Sequence, residues 1–416
     1  MGEVFMIQAL RGMRDIAGRE ARIFQMIEEK ARYYFELYGY EEIKIPIMEM
    51  TELFSRGIGD MSDIVQKEMY TFEDRKGRSI TLRPEGTAGV VRYYIEKGLD
   101  KNDPVQKLFY TGPMFRYERP QKGRFRQFHQ FGVEAFGIES YLLDADTLDM
   151  LVAYFTAIGI KNPVVKLNNI GCSQCRPAYN GALKAYLRKH ADELCPDCRQ
   201  RIETNPLRVL DCKNEKCRAV TQRSPDIGDF LCDSCRQYDE ELRDILTRRS
   251  IPFERDRFLV RGLDYYVRTV FEIHGGEGAQ NALMGGGRYD GLVEALGGRP
   301  VPGFGFAIGV DRLVAFLSDT GLFEKNLSDL FIAWSLTDKA LLLEKSSALR
   351  KCGLSVEFLA DERSLKNQLK YAHKKGYRFV VLLGDDEAYS EEIHLKKMDS
   401  GDEVYVSPID IREHLI

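Results

Sequence analysis

The sequence predicts an α+β, multidomain protein: a strand-rich first part, split by a cysteine-rich insertion, then a smaller α/β domain. Three observations carry this. KLFYTGPMFRYERPQKGRFRQFHQFGVEAFG reads as two long strands flanking a polar loop near 118–123. Eight of the nine cysteines crowd into the 64 residues from Cys172 to Cys235. Beyond about 327, the runs DLFIAW, LSVEF and RFVVLLG alternate with helical stretches 338–352 and 363–375. At about 150 residues per domain, 416 residues correspond to two or three domains.

The elements follow in order. Ile23, Met26, Ile27, Tyr34 and Leu37 recur near the helical period, so residues 20–37 read as a helix that Gly39 stops. EEIKIPIMEM is strand-like, with Pro46 marking an edge or an interface. SITLRPEGTAGVVRYYIEKG reads as strand, turn at Pro84–Gly86, then helix to Gly98. A further helix covers about 144–158. After the cysteines, RFLVRGLDYYVRTVFEI alternates as one strand, and NALMGGGRYDGLVEAL and PGFGFAIGVDRLVAFL each pass from strand into helix. A polar linker near 319–328 leads to the last unit.

Composition narrows the function. Lysine and arginine total 60 against 64 aspartate and glutamate, a net charge of −4, which argues against retention on nucleic acid by bulk charge. Local patches reverse that sign: +4 over 116–126, where five basic residues face Glu118 alone, and +6 over 363–378. The start MGEVFMIQALRGMRD lacks a signal-peptide core and a myristoylation pattern, and no apolar run reaches the roughly 18 residues that span a bilayer, so the chain reads as cytoplasmic, with no membrane partner.

Arginines on rigid strands beside a basic loop suit a polyphosphate, since the guanidinium fork matches phosphate oxygens, although a solvated hairpin tip explains the charge equally well. Phe128 offers a face for stacking on a base. Gly303, Gly305 and Gly309 let a ligand or backbone approach a strand, with Arg312 where the next helix begins; packing explains them too. GGGRYDG is similarly ambiguous. The chain has no Rossmann fingerprint and no P-loop. RGLDYY sets Arg261, Asp264 and Tyr266 on a strand among apolar neighbours, where a structural Arg–Asp pair is the commoner explanation. In 363–378 the basic residues include Lys366 and Lys370, a solvated face that also suits phosphate contacts.

Cys195-x2-Cys198 and Cys212-x4-Cys217 lie 13 residues apart, close to the spacing of a four-cysteine zinc ribbon, and Cys172-x2-Cys175 and Cys232-x2-Cys235 bracket them as a nested second site. Closed four-thiolate sites leave no open position for a substrate, so both zinc sites are expected to be structural.

Taken together, TLRPEGTAG, MFRYERPQKGRFRQFHQ, LVRGLDYY, GGGRYDGL and GFAIGVDRL resemble the sequence blocks of the class II aminoacyl-tRNA synthetases and, within them, the histidyl-tRNA synthetases. The resemblance covers the whole chain except the cysteine insert. It implies an antiparallel-sheet catalytic domain in two parts (1–170 and 246–324), an insertion at 171–245 and an anticodon-binding domain at 327–416. It implies ATP and Mg2+, activation of L-histidine to histidyl-adenylate and transfer to tRNA(His). Arg116 would hold the α-phosphate, Arg261 would reach it from the opposite side as the catalytic arginine, Arg312 would hold the distal phosphates and Phe128 the adenine, with Glu118 and Arg124 at the ATP site. Glu85, Thr87 and Gln130 would take the α-amino group; Glu134 and Tyr266 would meet the ring nitrogens, with Tyr289 and Arg261 close by. Gln121 and Arg124 would meet the acceptor stem, and Lys366 and Lys370 the tRNA elsewhere. Pro46 falls in the motif 1 region, implying a homodimer. Asp311 departs from the glutamate common in the family.

Class I synthetases fit poorly, since no HIGH sequence exists and KKMDSG at 396–401 is a superficial echo of their lysine loop. The main rival is a histidine-sensing, synthetase-like regulatory subunit of ATP phosphoribosyltransferase. A zinc-ribbon nucleic-acid-binding module accounts for the cysteines alone.

Overall fold

The computed structural model describes residues 7–59, 64–121, 123–263, 265–274, 282–319 and 329–415. Asp264 and almost all of the linker expected near 319–328 fall outside them. The chain divides into two compact units, Met1–Phe323 and Glu324–Ile416.

The first unit is built on an eight-stranded sheet. In spatial order its strands are Glu41–Glu42, Gln106–Phe115, Gln127–Phe136, Gly303–Gly309, Ala282–Arg288, Val267–His274, Val164–Asn169 and Phe253–Arg255. All pairings are antiparallel except the two at the edges. The hairpin expected around the basic loop supplies its second and third strands, with Gln106 opposite Phe136 and Phe115 opposite Gln127.

Side-chain alternation gives this sheet two unlike faces. Phe131, Val133 and Ala135, with Phe304, Phe306 and Ile308, join the core under the helices Gly18–Leu37, Tyr141–Ala157 and Val310–Asp319. The first of these helices contributes Ile23, Ile27, Ala31 and Phe35, spaced four apart on one stripe. The intervening residues, Gln130, Gly132 and Glu134 on one strand and Gly303, Gly305, Ala307 and Gly309 on its neighbour, face the opposite way. A small sheet of Met48–Met50, Ser79–Leu82 and Tyr70–Glu73 adjoins the helix Thr87–Glu96, with Pro46 just before its first strand.

The insertion is helical, which corrects the ribbon expectation. Cys175–Lys189, Pro196–Thr204, Glu215–Thr221 and Asp233–Arg248 are α-helices, and no strand is found among the described residues between Asn169 and Phe253. Cysteine spacing reports which thiols can come together, and that requirement is met equally by helix N-terminal turns. Fully buried Arg288 ties insert to sheet, with Asp144 Oδ1 at 3.2 Å, Asp290 at 3.1 Å and its Nε donating to the Tyr238 hydroxyl at 2.7 Å.

The second unit is a five-stranded sheet ordered Val356–Phe358, Leu330–Ser335, Phe379–Gly384, Ile393–Lys397, Glu403–Val406, with helices Ala340–Lys351 and Leu365–Lys375. The first three strands are parallel, and the last two, absent from the sequence reading, add an antiparallel hairpin that turns at residues 398–402, the two lysines of KKMDSG ending its first strand. Lys366 and Lys370 lie on the exposed face of Leu365–Lys375, while Gln368 turns inward and bonds the Trp334 backbone N–H and C=O at 3.1 and 2.7 Å.

Candidate active site

One cleft on the open face of the large sheet gathers Glu85, Thr87, Arg116, Glu118, Arg124, Phe128, Gln130, Arg261, Tyr266 and Arg312. These residues come from four separate stretches of sequence, and the sheet order brings them together. Glu134 and Tyr289 are not in its wall; they lie buried behind it, joined to it by the Thr87 hydroxyl on Glu134. Gln121 is not part of the wall; it sits exposed at the loop tip, where its N–H and Arg124's exchange backbone hydrogen bonds at 3.2 and 2.9 Å.

The polar end is built on buried carboxylates. Glu85 accepts the N–H groups of Thr87 and Ala88 at 2.6 and 2.9 Å, at the start of the helix Thr87–Glu96. Glu134 accepts the Thr87 hydroxyl at 2.6 Å and the Tyr289 hydroxyl at its other oxygen. Burial raises the pKa of both; Glu134 is pushed up to about 8, against the pull of Thr87 and Tyr289. Buried Gln130 leaves its Oε1 without a partner, an acceptor available to a ligand's N–H. Gly305 pairs with Glu134 across the ladder, and a Cβ there would lie 2.3 Å from Glu134 Oε2. That glycine is required by close approach.

The other end holds four arginines, Arg116, Arg124, Arg261 and Arg312. Arg116 donates through Nε to the Pro84 carbonyl at 2.8 Å, and its guanidinium carbon stands 5.2 Å from the Phe128 ring centre. Arg312 donates to the Ala282 carbonyl at 3.2 Å; burial lowers its pKa, and neighbouring Arg124 adds to the effect. Arg261 pairs with Glu272; burial is the largest influence and works against its charge, but Glu272, Tyr266 and Tyr265 together outweigh it and hold its pKa up. Its Nε is buried and has no partner. Four cations converging beside a carboxylate-rich pocket suit a polyphosphate substrate joined to a cationic or N–H-rich one.

Two expectations about Arg261 and Tyr266 change. Neither lies on a strand, since pairing along Val267–His274 ends at Val267 opposite Arg288 and a bulge with Arg268 at φ 50° distorts that end. The described carboxylate partner of Arg261 is Glu272, and Asp264 falls outside the described residues. Sequence reading also missed Tyr265 and Glu272 in the wall. Glu272 had a signal, as the acid that alternates with apolar Phe271 and Ile273. Asp311 accepts the His129 backbone N–H at 2.7 Å and pairs with Arg14 at 3.0 Å, tying the start of one hairpin strand to the helix that carries Arg312.

Gly285 gives a direct test. A Cβ on it would stand 2.2 Å from the Arg261 guanidinium carbon. Gly285→Ala is expected to displace Arg261 and lower kcat for the activation step at least about tenfold, since catalysis is sensitive to misplacement on the ångström scale. Unchanged kcat in steady-state assays would contradict this placement.

The cysteines form two quartets, Cys172, Cys175, Cys232, Cys235 and Cys195, Cys198, Cys212, Cys217, each with its sulfurs within 4.8 Å of one another. Separations of 3.6, 3.9 and 3.9 Å for Cys172–Cys175, Cys172–Cys232 and Cys195–Cys212 match the about 3.8 Å of a tetrahedron with metal–sulfur bonds near 2.3 Å. The N–H groups of Cys195 and Cys232 donate to Cys217 and Cys175 sulfurs, each at 3.2 Å, as suits thiolates.

A predominantly antiparallel sheet with an arginine-lined cleft, in a chain that also carries a separate α/β unit, is the architecture of a class II aminoacyl-tRNA synthetase. The histidyl-tRNA synthetase family model matches residues 12–313 and the anticodon binding domain model residues 336–415. The histidine--tRNA ligase of Aquifex aeolicus is 47% identical over 398 residues, covering 95% of this chain and 98% of that one. That of Geobacter metallireducens is 48% identical over 400 residues, covering 95% and 96%. The apo histidyl-tRNA synthetase of S. aureus superimposes with a TM-score of 0.77 at 36% identity, over 99% and 100% of the two chains. An ATP phosphoribosyltransferase regulatory subunit/histidyl-tRNA synthetase from Bacillus halodurans shares the fold, at TM-score 0.68 and 21% identity over 92% and 100%. The chain belongs to the histidyl-tRNA synthetase family.

Proposed function

We infer that the chain is a histidine--tRNA ligase: it joins histidine to ATP, releasing pyrophosphate, and passes the histidyl group to the terminal ribose of tRNA(His), releasing AMP. The observation that carries this reading is one cleft in which buried Glu85, and Thr87 backed by buried Glu134, adjoin Arg116, Arg261 and Arg312. A regulatory histidine sensor has no need of the three arginines or of an anticodon-binding unit.

In this reading the histidine carboxylate attacks the α-phosphorus, and Arg116 and Arg261 meet the growing negative charge from opposite sides. Held by Pro84 and Glu272 respectively, both are fixed before the reaction begins, so little reorganisation is needed in the transition state. Arg312 and Arg124 take the departing pyrophosphate. Phe128 stacks on adenine, and Glu118 keeps Arg124 near it through a contact of 3.4 Å. Glu85, Thr87 and Gln130 accept the α-ammonium, while Glu134 and Tyr266 address the imidazole and Tyr289 fixes Glu134. Magnesium, when bound with ATP, neutralises phosphate charge; Glu118 and Glu272 are the carboxylates of the phosphate end able to hold it directly or through water.

The test is histidine-dependent exchange of pyrophosphate into ATP, followed by charging. Exchange with loss of charging in Lys366→Glu/Lys370→Glu locates tRNA contacts on that helix, and normal charging removes them. We assign the domains as 1–170 and 246–324 catalytic, 171–245 inserted and 327–416 anticodon-binding, in a cytoplasmic homodimer. Exposed Met48, Met50 and Phe72 on the small sheet beside Pro46 are the proposed dimer face; a monomer by sedimentation velocity at assay concentration would refute it.

Both quartets are assigned to structural zinc. Elemental analysis is expected to give two zinc per chain, falling to one in Cys232→Ser/Cys235→Ser; one zinc in the wild type would eliminate the outer site. Chelation is expected to unfold the insert first, because binding energy there is folding energy.

A further inference from the structure

The catalytic arginine and Tyr266 sit on an irregular segment that leaves the sheet, which raises the question of what holds it. Upstream, Asn168 donates through Nδ2 to the Leu259 carbonyl at 3.0 Å, and the Asp256 N–H bonds the Leu167 carbonyl at 2.9 Å. From Arg261 to Tyr266 the support changes character. Arg208 donates through Nη1 to the Arg261 carbonyl at 3.3 Å, and Arg176 donates through Nη2 to the Tyr266 carbonyl. Both donors belong to the inserted domain.

Their positions in the insert are informative. Arg176 follows Cys175 of the outer quartet directly and also bonds the Ile170 carbonyl at 3.3 Å. Arg208 lies four residues before Cys212 of the inner quartet, in the turn Pro206–Val209. Each thiol quartet therefore fixes the root of one guanidinium, and each guanidinium holds one end of the loop. The backbone adds to this contact at the outer quartet, where the Arg268 N–H donates to the Gly171 carbonyl at 2.9 Å and the Ile170 N–H to the Arg268 carbonyl at 2.8 Å.

We propose that Arg176 and Arg208 are positioning residues for histidine activation, through which the cysteine-bearing insert sets the placement of Tyr266 and Arg261. The inference rests on the reading of Arg261 and Tyr266 given above. It adds to the insert a role in the first, tRNA-independent step. The division of labour follows from the geometry. Arg208 carries the residue that meets the α-phosphate, so its loss acts on kcat. Arg176 carries the residue that meets the imidazole, so its loss acts on KM for histidine.

The experiment is pyrophosphate exchange without tRNA, on the full chain, for wild type, Arg208→Ala and Arg176→Ala. Zinc content and melting temperature are measured on the same preparations. Arg208→Ala is expected to lower kcat about tenfold or more with KM for histidine nearly unchanged, and Arg176→Ala to raise that KM by a similar factor. The lysine variants, which keep a donor on a long stem, are expected to recover part of each loss. Both side chains are half-buried; if an alanine variant melts early, Arg208→Met or Arg176→Met keeps the aliphatic stem and carries the test. Wild-type kinetics in the variants, or equal losses in kcat and KM for both, would overturn the proposal. So would a defect confined to tRNA charging, which would make these arginines RNA contacts. Failure of the wild type to exchange would instead overturn the function assigned above.

Discussion

Replacing Arg261 by alanine is expected to lower kcat for histidine-dependent pyrophosphate exchange on the order of 10²–10³-fold, with KM for ATP and histidine changed far less. The split follows from where the side chain stands. Arg261 is held by Glu272 on one side and has room against the sheet only because residue 285 is glycine. In the proposed mechanism its fixed charge acts on a centre that gains negative charge only as the carboxylate attacks. Ground-state binding has other cations to draw on in Arg116 and Arg312. The variant leaves Glu272 with His274 as a partner at 3.1 Å, so stability should fall little. Arg261→Lys keeps the charge but loses the planar fork and is expected to recover only part of the rate. A kcat within a factor of about two of wild type for the alanine variant would remove Arg261 from the chemistry.

Glu134→Gln is expected to damage catalysis while helping stability, a combination that a purely structural residue does not produce. The carboxylate accepts hydroxyl donors from Thr87 and Tyr289 at its two oxygens. An amide turns its NH2 toward one of those donors, so the site loses an acceptor and the imidazole its partner. KM for histidine is expected to rise on the order of 100-fold. The pH effect has the opposite sign. In the folded protein burial raises this pKa from 4.5 to about 8, so the folded state keeps a proton that the unfolded chain has already released. Wild-type stability from this group therefore falls as pH rises from about 4.5 to about 8 and levels off above. Glutamine has no proton to lose. The melting temperature of the variant relative to wild type is expected to climb across that window, and an unchanged difference from pH 4 to pH 9 would contradict the buried-acid assignment.

Much of this site could be read from residue order, because its parts sit on regular elements. The alternation in FRQFHQFGVEAFG and GFGFAIG separates a greasy face from one bearing Gln130, Glu134 and glycines, and two such strands paired antiparallel make a cleft floor. The loop carrying Arg261 and Tyr266 was harder to read. Leu263 and Tyr265 continue the alternation of Val267, Phe271 and Ile273, but the partner strand has ended at Arg288, and pairing is a tertiary property that periodicity does not report. The cysteine spacing grouped the thiols into the same two quartets as the structure but not their scaffold, because four converging thiols are presented by ribbons and by helix starts alike. The last two strands of the second unit, rich in lysine, glutamate and histidine, lack the apolar run that marks the other three.

The central claim is that one cleft activates histidine with ATP, and exchange of labelled pyrophosphate into ATP tests it most directly. With the purified full-length chain, magnesium and ATP, exchange is expected with histidine and with no other standard amino acid, and it should disappear in Arg261→Ala. Absence of exchange with every amino acid, or exchange equally supported by amino acids lacking an imidazole, would contradict the account.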